Sequence, residues 1–285
     1  MNRDFTMSRA DHIPPAGLHC LAVENLSVTY PSGHKGNQAV SDITLRLPLA
    51  DSLCLVGSSG AGKSTILSAL LGLLPPSTAV RGTVTLPGGL THLGTDNEQL
   101  REYRRHSIGV IFQDPVGSLA PGIPMLRQVA SAYRVRHRLS RRDAVVQARS
   151  ALVQVGLPDE PVFHNAVPAE LSGGMNQRVC VALALSAPSL RLLLADEPTS
   201  NLDSVMAAQI LDLILQVQRE HQAALVFVTH DIRLHSRFDR VAVISGGRLV
   251  EDQPAAMFAE SAKSEEGRRL VAASQRLGQG AAPSR

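Results

Sequence analysis

An α/β fold is predicted by the alternation of short apolar runs with helix-spaced segments along most of the chain. The apolar run 52–56 leads through a glycine-rich turn into a helical pattern over 66–73. A second apolar run, 190–195, comes before a helical pattern over 203–220, and a third run, 224–229, follows it. Strands that alternate with helices in this way favour a parallel sheet.

The first half of the chain supplies most of the predicted strands. A loose polar lead, residues 1–17, comes first, and a charged helix is predicted at 96–105. The turn residues Pro31 and Gly33 close the first strand, and Pro75-Pro76 stops the helix of 66–73. The predicted strands in this half are 20–30, 40–47, 52–56, 80–86 and 107–112.

Residues 121–187 have a different character and are interpreted as an inserted α-helical subdomain. Helix-spaced apolar residues run through 126–139 and 142–155, and another helix follows Ser172. After the strands of the second half, a hairpin is predicted to turn at Gly246-Gly247. A polar, helix-tolerant tail, 262–285, ends the chain.

The densest basic run of the chain lies inside this helical segment, between residues 134 and 142. A solvated helix face with its turn is the simplest interpretation. The alternatives are a docking surface for a partner and a contact with acidic lipid headgroups.

Composition limits the classes of function. The chain has 285 residues, of which 44% are hydrophobic and 19% charged, enough apolar material for a core. Aromatic residues make up only 3%, which argues against a surface that stacks nucleic-acid bases. The net charge of +3 is too small to indicate a polyanion binder. Nucleic acid is therefore not a predicted partner.

Cysteine spacing and the lack of long apolar runs predict a cytoplasmic protein. Cys20, Cys54 and Cys180 are widely separated and fit small buried hydrophobes better than a zinc or disulfide framework. No run approaches the roughly 18 apolar residues of a membrane span. The first 15 residues have no apolar signal-peptide core. Any membrane role would come through a partner.

The glycine-rich turn carries the strongest chemical signal. Residues Gly57 to Ser64 fit the pattern G-x-x-x-x-G-K-[ST], in which backbone N–H groups cradle the phosphates of a nucleotide. The helix that follows points its N-terminal N–H groups at the anion. Lys63 adds a positive charge for the β- and γ-phosphates, and the Ser64 hydroxyl can bind Mg²⁺. This stretch predicts a nucleoside triphosphate site.

Two acids end the apolar run 192–195. Asp196 and Glu197 would lie at the carboxyl edge of a parallel sheet, where ligands bind in such folds. Asp196 is a candidate Mg²⁺ ligand, and Glu197 is a candidate acceptor for the proton of an attacking water.

Two further features are ambiguous when each is taken alone. Residues 171–174, Leu-Ser-Gly-Gly, open a helix and can form a second anion site, or simply a helix capped by Ser172. His230 ends the apolar run 224–229, where a structural histidine is the usual interpretation.

Taken together, these motifs resemble the nucleotide-binding subunit of ATP-binding-cassette (ABC) transporters, over about residues 20–255. The order is the phosphate loop, Gln113 after a strand, Leu-Ser-Gly-Gly, Leu-Ala-Asp-Glu-Pro at 194–198, Ser-Asn-Leu-Asp at 200–203, and His230. The resemblance implies a P-loop NTPase core with an N-terminal antiparallel β subdomain and an inserted α-helical subdomain, together spanning residues 18–261. It also implies ATP hydrolysis with Mg²⁺.

The resemblance assigns roles to individual positions. Catalytic roles fall on Lys63, Gln113, Glu197 and His230. The implied Mg²⁺ ligands are Ser64, Gln113 and Asp196. The implied nucleotide contacts are Tyr30, which would stack on adenine, then Gly57, Ser58, Ser59, Gly60, Ala61, Gly62, Lys63, Ser64 and Thr65, and finally Ser172, Gly173, Gly174 and Asp203. In the family, the Ser172–Gly174 element closes over ATP bound to the opposite subunit.

Residues 112–121 and 171–178 resemble importer ATPases for peptides, nickel or opine metallophores. The sequence departs from that subfamily at Ala120, where Asn is usual, and at Asn176, where Arg is usual. The implied partners are a second ATPase subunit, transmembrane permease subunits and, indirectly, a solute-binding protein. The implied location is peripheral, on the cytoplasmic face of the membrane.

Two alternatives stay open at this level. One is a soluble ABC ATPase within a multi-enzyme complex such as carbon–phosphorus lyase. The other is a mechanical ATPase that acts on nucleic acid, which the few aromatic residues and modest charge disfavour.

Overall fold

Two β-sheets and a set of flanking helices make up the computed structural model, which describes residues 20–31 and 36–279. The predicted lead, 1–17, lies outside the described residues. The strands are Cys20–Tyr30 (β1), Asn37–Pro48 (β2), Ser52–Val56 (β3), Ala79–Thr85 (β4), Thr91–His92 (β5), Ile108–Ile111 (β6), Leu192–Asp196 (β7), Ala224–Thr229 (β8), Arg240–Ser245 (β9) and Arg248–Pro254 (β10).

The helices lie between and after these strands. They are Lys63–Leu71 (α1), Glu98–Ser107 (α2), Pro115–Ser118 (α3), Met125–His137 (α4), Arg141–Gln154 (α5), Pro161–Asn165 (α6), Gly173–Leu185 (α7), Ser204–His221 (α8), Ala255–Ser261 (α9) and Glu265–Gln279 (α10). Short 3₁₀ turns lie at Pro168–Glu170 and Ile232–Arg237.

The two sheets differ in the direction of their strands. The first has four antiparallel strands in the order β2-β1-β4-β5. The second has six in the order β10-β9-β3-β8-β7-β6, of which the five from β9 to β6 run parallel and β10 pairs antiparallel with β9. The predicted α/β fold is confirmed.

Alternation along β3 divides the core into two layers. Every residue of β3 is buried, as expected for a parallel strand covered on both faces. Leu53 and Leu55 pack into the cluster shared with α1 and the antiparallel sheet. Cys54 and Val56 face the opposite cluster, which includes α4, α5, α7 and α8. The sheet is thereby fixed on both sides, and so are the loops at its ends.

The chain between β6 and β7 is helical from α3 to α7, in the region interpreted as an insertion. The two long helices predicted there begin and end within two residues of α4 and α5. A left-handed residue, Arg138, ends α4, and Ser140 caps α5 through the backbone N–H of Asp143.

Part of the predicted tail is helical and anchored. The carboxylate of Glu251 accepts hydrogen bonds from the backbone N–H of Lys263 (2.7 Å) and of Ser264 (3.0 Å), just before α10 begins. These bonds fix the start of α10. Burial raises the pKa of Glu251, but hydrogen bonds from the Ser264 hydroxyl and from these two N–H groups hold it below its usual range.

All three cysteines are buried and free. Burial raises the pKa of the Cys180 thiol to about 12 and raises that of Cys54 further. Both thiols therefore behave as small hydrophobes. Across residues 20–31 and 36–279, no helix is long and apolar enough to cross a bilayer.

Candidate active site

Four neighbouring strands of the parallel sheet end at the same edge, and each is followed by a residue with a predicted role. The phosphate loop follows β3, Gln113 follows β6, Glu197 follows β7 and His230 follows β8. These residues line one cavity of about 430 Å³. Its lining consists of Ala39, Ser59, Gly60, Ala61, Gly62, Lys63, Ser64, Thr65, Gln113, Glu197 and His230.

The loop reaches its shape through glycines in the left-handed region of backbone space. Gly62 has φ +105° and ends the loop as the N-cap of α1, where no side chain caps the helix. A Cβ on Gly62 would lie 2.6 Å from the carbonyl oxygen of Ala39, a backbone atom that cannot move aside cheaply. The first N–H groups of α1 therefore face the cavity without a side-chain acceptor, as an anion site requires.

We expect Gly62→Ala to lower ATP affinity at least tenfold below that of Gly60→Ala. Gly60 also has a left-handed φ, +77°, but a Cβ there meets nothing within 4 Å. The two variants thus share the backbone strain and differ in the clash with Ala39. Titration with a fluorescent ATP analogue measures the difference, and equal affinities would contradict the close approach of β2 to the loop.

The Lys63 side chain is buried against the phosphate loop, residues 57–64. Its Nζ donates to the carbonyl oxygens of Gly57 (2.8 Å) and Ser58 (3.0 Å). Burial lowers the pKa of Lys63, and the negative charges of Glu197 and Asp196 oppose that shift. A phosphate group beside the ammonium would add a further negative partner, so the site is matched to an anion.

Ser64 and Asp196 come together at the end of β7. Burial and the nearby charge of Glu197 raise the pKa of the Asp196 carboxyl group, and the Ser64 side chain opposes that shift. A cation placed here would relieve the repulsion between the two carboxylates. Among residues 20–31 and 36–279, no three His, Cys, Asp or Glu side chains cluster to hold a metal. The residues fit Mg²⁺, which binds to few protein groups and to substrate phosphates.

The backbone holds Glu197 in an unusual conformation. Its φ of +43° is one that few non-glycine residues adopt. Its N–H donates to the carbonyl of Val228 (3.0 Å), and its own carbonyl accepts from the backbone N–H (3.2 Å) and the hydroxyl (3.0 Å) of Ser200. Such strain, held by surrounding bonds, is common at functional sites.

Glu197 and His230 lie within hydrogen-bonding distance of each other at the edge of the cavity. His230 Nδ1 lies 2.9 Å from Glu197 Oε2. The carboxylate is largely buried, whereas the imidazole is exposed for 63% of its surface. Glu197 is thus oriented from one side and open to the cavity on the other.

The remaining predicted residues fall into two groups. Tyr30 adjoins the loop, because its hydroxyl lies 3.4 Å from Thr65 Oγ1. Ser172, Gly173, Gly174 and Asp203 do not line the cavity. Gly173 and Gly174 lie instead against Leu202 and Met206, on either side of Asp203.

Two residues near the site and one at the Ser172 turn had no predicted role. Ala39 lines the cavity from β2, and no motif in the sequence marks it. Asn201 donates to the carbonyl of Gln113 (3.4 Å), although the sequence marked it only as part of a motif. Asn176, where the sequence departs from the subfamily, is buried and donates to the carbonyls of Pro168 (2.9 Å) and Leu171 (3.4 Å), which support the turn at Ser172.

A phosphate loop between β3 and α1, faced by two carboxylates and a histidine at adjacent strand ends, defines a P-loop nucleoside-triphosphate hydrolase. Comparison with known proteins gives the family. The family described as "ABC transporter" matches residues 40–200, more than half of the chain. The chain belongs to this family, and it is an ATP-binding and ATP-hydrolysing cassette.

Curated relatives and solved structures agree. The chain is 36% identical over 233 residues to the oligopeptide transport ATP-binding protein OppD of Lactococcus lactis subsp. cremoris, covering 81% of this chain and 68% of that one. It is 35% identical over 268 residues to the glutathione import ATP-binding protein GsiA of Escherichia coli K12, covering 90% and 42%. The chain therefore spans less than half the length of GsiA.

Two solved structures share the fold over nearly their whole length. One is a dimeric post-hydrolysis state of the ATP-binding cassette MJ0796 bound to ADP and Pi, with a TM-score of 0.72, 29% identity, and coverage of 82% of this chain and 98% of that one. The other is cbiO1 from Clostridium perfringens, part of the transporter complex cbiONQ, with a TM-score of 0.71, 25% identity, and coverage of 92% and 98%.

Proposed function

We propose that this chain hydrolyses ATP to energise the import of peptides through a separate membrane permease. The observation that carries the hydrolytic part is the cavity at the sheet edge, where the phosphate loop meets Gln113, Glu197 and His230. Support for peptides as cargo comes from relatives named for oligopeptide, dipeptide and glutathione transport.

The geometry suggests a division of labour at the site. Backbone N–H groups of the loop and the Lys63 ammonium hold the phosphates, and the family resemblance assigns Tyr30 to the base. Glu197 accepts a proton from the attacking water, while His230 Nδ1 keeps the carboxylate in place. Ser64, Gln113 and Asp196 would hold Mg²⁺, which when bound neutralises charge on the phosphate oxygens. Catalysis is then mainly positioning and charge stabilisation.

The site is proposed to be completed by a second ATPase subunit, in the simplest case another copy of this chain. Ser172, Gly173, Gly174 and Asp203 lie outside the cavity of their own chain. Ser172 caps α7 and is exposed, so the first turn of this helix is free to face another molecule. The cassette MJ0796, which shares the fold, was solved as a dimer.

A groove of about 480 Å³ beside Gln113 is the proposed contact for the permease. It lies between α2, β6 and α4, and Leu73, Phe112 and Val135 expose about half of their surface there. Arg136 borders it, half-buried and without an ion pair among the described residues. An apolar segment with an acidic residue would fit this groove.

We expect Val135→Glu to abolish permease binding while ATP hydrolysis by the isolated chain stays at the wild-type rate. The new carboxylate would be desolvated against an apolar partner. Val146→Glu on α5 is the matched control, because Val146 and Val135 are each 59% exposed. Normal peptide uptake by vesicles that contain the Val135→Glu chain would contradict this assignment.

Affinity capture of the tagged chain from solubilised membranes tests the proposed function. Recovery of a polytopic membrane protein supports the importer. Recovery of soluble enzymes in its place would support the alternative, a multi-enzyme complex.

A further inference from the structure

A second cavity, of about 390 Å³, lies between α4 and α5, in a part of the molecule that the ATP site does not use. Its floor is apolar and includes Leu126, Ala144 and Val145. Arg127, Arg134 and Arg141 stand around this floor. Among the residues that the structure describes, no acid lines it.

The three arginines have no acidic partner, unlike several other arginines of the described chain. Arg149, on the same helix as Arg141, is held by Asp159 at 2.7 Å, and Arg233 is held by Asp231 at the same distance. None of the three cavity arginines forms an ion pair within residues 20–31 and 36–279. Guanidinium groups stay charged at all physiological pH values, so the cavity carries three positive charges.

Helical geometry concentrates this charge. Arg127 and Arg134 are seven residues apart on α4, which is two turns, or about 10.5 Å on the same face. Arg141 is the first residue of α5, where the helix dipole disfavours a cation. Asp143, the acid in the same first turn, accepts a hydrogen bond from the Ser140 hydroxyl (2.7 Å) and forms no ion pair with Arg141.

We propose that this cavity binds the phosphate group of an anionic phospholipid. Guanidinium forks match phosphate oxygens in shape and charge, and the apolar floor accommodates the carbon atoms next to the phosphate. The cytoplasmic leaflet is anionic, so its charge is complementary to that of the three arginines. A free phosphate compound shares the same chemistry and is the alternative source.

The position of the cavity next to the proposed permease contact supports a lipid as its ligand. Ser131 borders both this cavity and the groove beside Gln113, so the two features adjoin on α4. The part of the argument that places the cavity near the membrane rests on the proposed permease contact. The charge argument and the following test use the isolated chain and do not depend on it.

The test is co-sedimentation of the purified chain with vesicles, with ADP in excess to keep the phosphate loop filled. Vesicles of phosphatidylcholine alone are compared with vesicles that also contain phosphatidylglycerol. The cavity variant combines Arg127→Gln, Arg134→Gln and Arg141→Gln. The control variant combines Arg138→Gln, Arg142→Gln and Arg248→Gln, three exposed arginines outside the cavity, so that both variants lose the same charge.

We expect the cavity variant to lose binding to the phosphatidylglycerol vesicles by about tenfold or more, and the control variant to bind nearly as the wild type does. Both variants should hydrolyse ATP at the wild-type rate, which confirms that they are folded.

A second arm measures labelled inorganic phosphate by equilibrium dialysis, again with excess ADP. If the wild type binds phosphate but not vesicles, and the cavity variant binds neither, the cavity is a phosphate site whose ligand is a soluble phosphate compound. That result would overturn the assignment to a lipid. Equal loss of vesicle binding in the two variants, or no binding of either probe, would overturn the proposal.

Discussion

Replacing Glu197 by glutamine is expected to lower the turnover of ATP hydrolysis by about 10²- to 10⁴-fold while ATP still binds. The amide keeps the size of the side chain but cannot accept the proton of the attacking water. The phosphate loop is unchanged, because Glu197 approaches it only across the cavity. Release of phosphate in steady state and binding of labelled ATP, measured on the same preparation, separate the two effects.

Glu160→Gln is the control for this change, since Glu160 is an exposed acid with no ion pair in the described part of the chain. Its hydrolysis rate should match that of the wild type. A wild-type rate in Glu197→Gln would remove Glu197 from the role of general base, and loss of ATP binding there would point to a structural role for its contact with His230.

Lys63→Ala is expected to weaken ATP binding by about 10- to 100-fold, which corresponds to the loss of one or two charge-assisted hydrogen bonds. The ammonium already lies between two carbonyl groups of the loop, so it needs little rearrangement to contact phosphates. Removing it also leaves Asp196 and Glu197 without the cation that offsets their charge. Isothermal titration with ATP and Mg²⁺ measures the loss.

Lys263→Ala is the matched control for the lysine, because Lys263 lies beside α10, far along the chain from the loop. We expect ATP affinity in this variant to equal that of the wild type. Unchanged affinity in Lys63→Ala would contradict the assignment of the loop as the phosphate site.

Local sequence predicted both ends of β1, β3 and β8 correctly. β3 and β8 begin and end at the predicted residues, because a continuous apolar run bounded by polar residues has one stable placement in a parallel sheet. α1 begins at Lys63, three residues before the predicted helix, because its N-cap is a glycine and carries no capping side chain to mark the start.

Contacts between distant segments could not be predicted in the same way. Ala39 reaches the loop because β2 is tied to the β9–β10 turn, where the N–H of Ser41 donates to Gly247 and that of Gly247 donates to Ala61. The helix α10 lies in a segment that was predicted as a helix-tolerant tail, and its anchor, Glu251, lies 12 residues before Lys263, where the sequence did not mark it. Both results depend on tertiary packing, which short patterns do not contain.

The site residues also fall into a group that local sequence places together and a group that it does not. Motifs on the loops after β3, β6, β7 and β8 meet in one cavity, since parallel strands end at a common edge. The Ser172–Gly174 element is separated from that cavity within its own chain, and this separation is the basis for proposing a composite site.

Mixing two inactive variants tests the composite site most directly. Lys63→Ala disables the phosphate loop of one copy, and Ser172→Arg blocks the helix turn of the other. At an ATP concentration near the wild-type Kd, each variant alone should be almost inactive, whereas mixed dimers contain one intact loop facing one intact Ser172 turn. We expect ATP hydrolysis to recover on mixing to a clear fraction of the wild-type rate. A mixture as inactive as its separate components would contradict an ATP site shared between two copies of this chain.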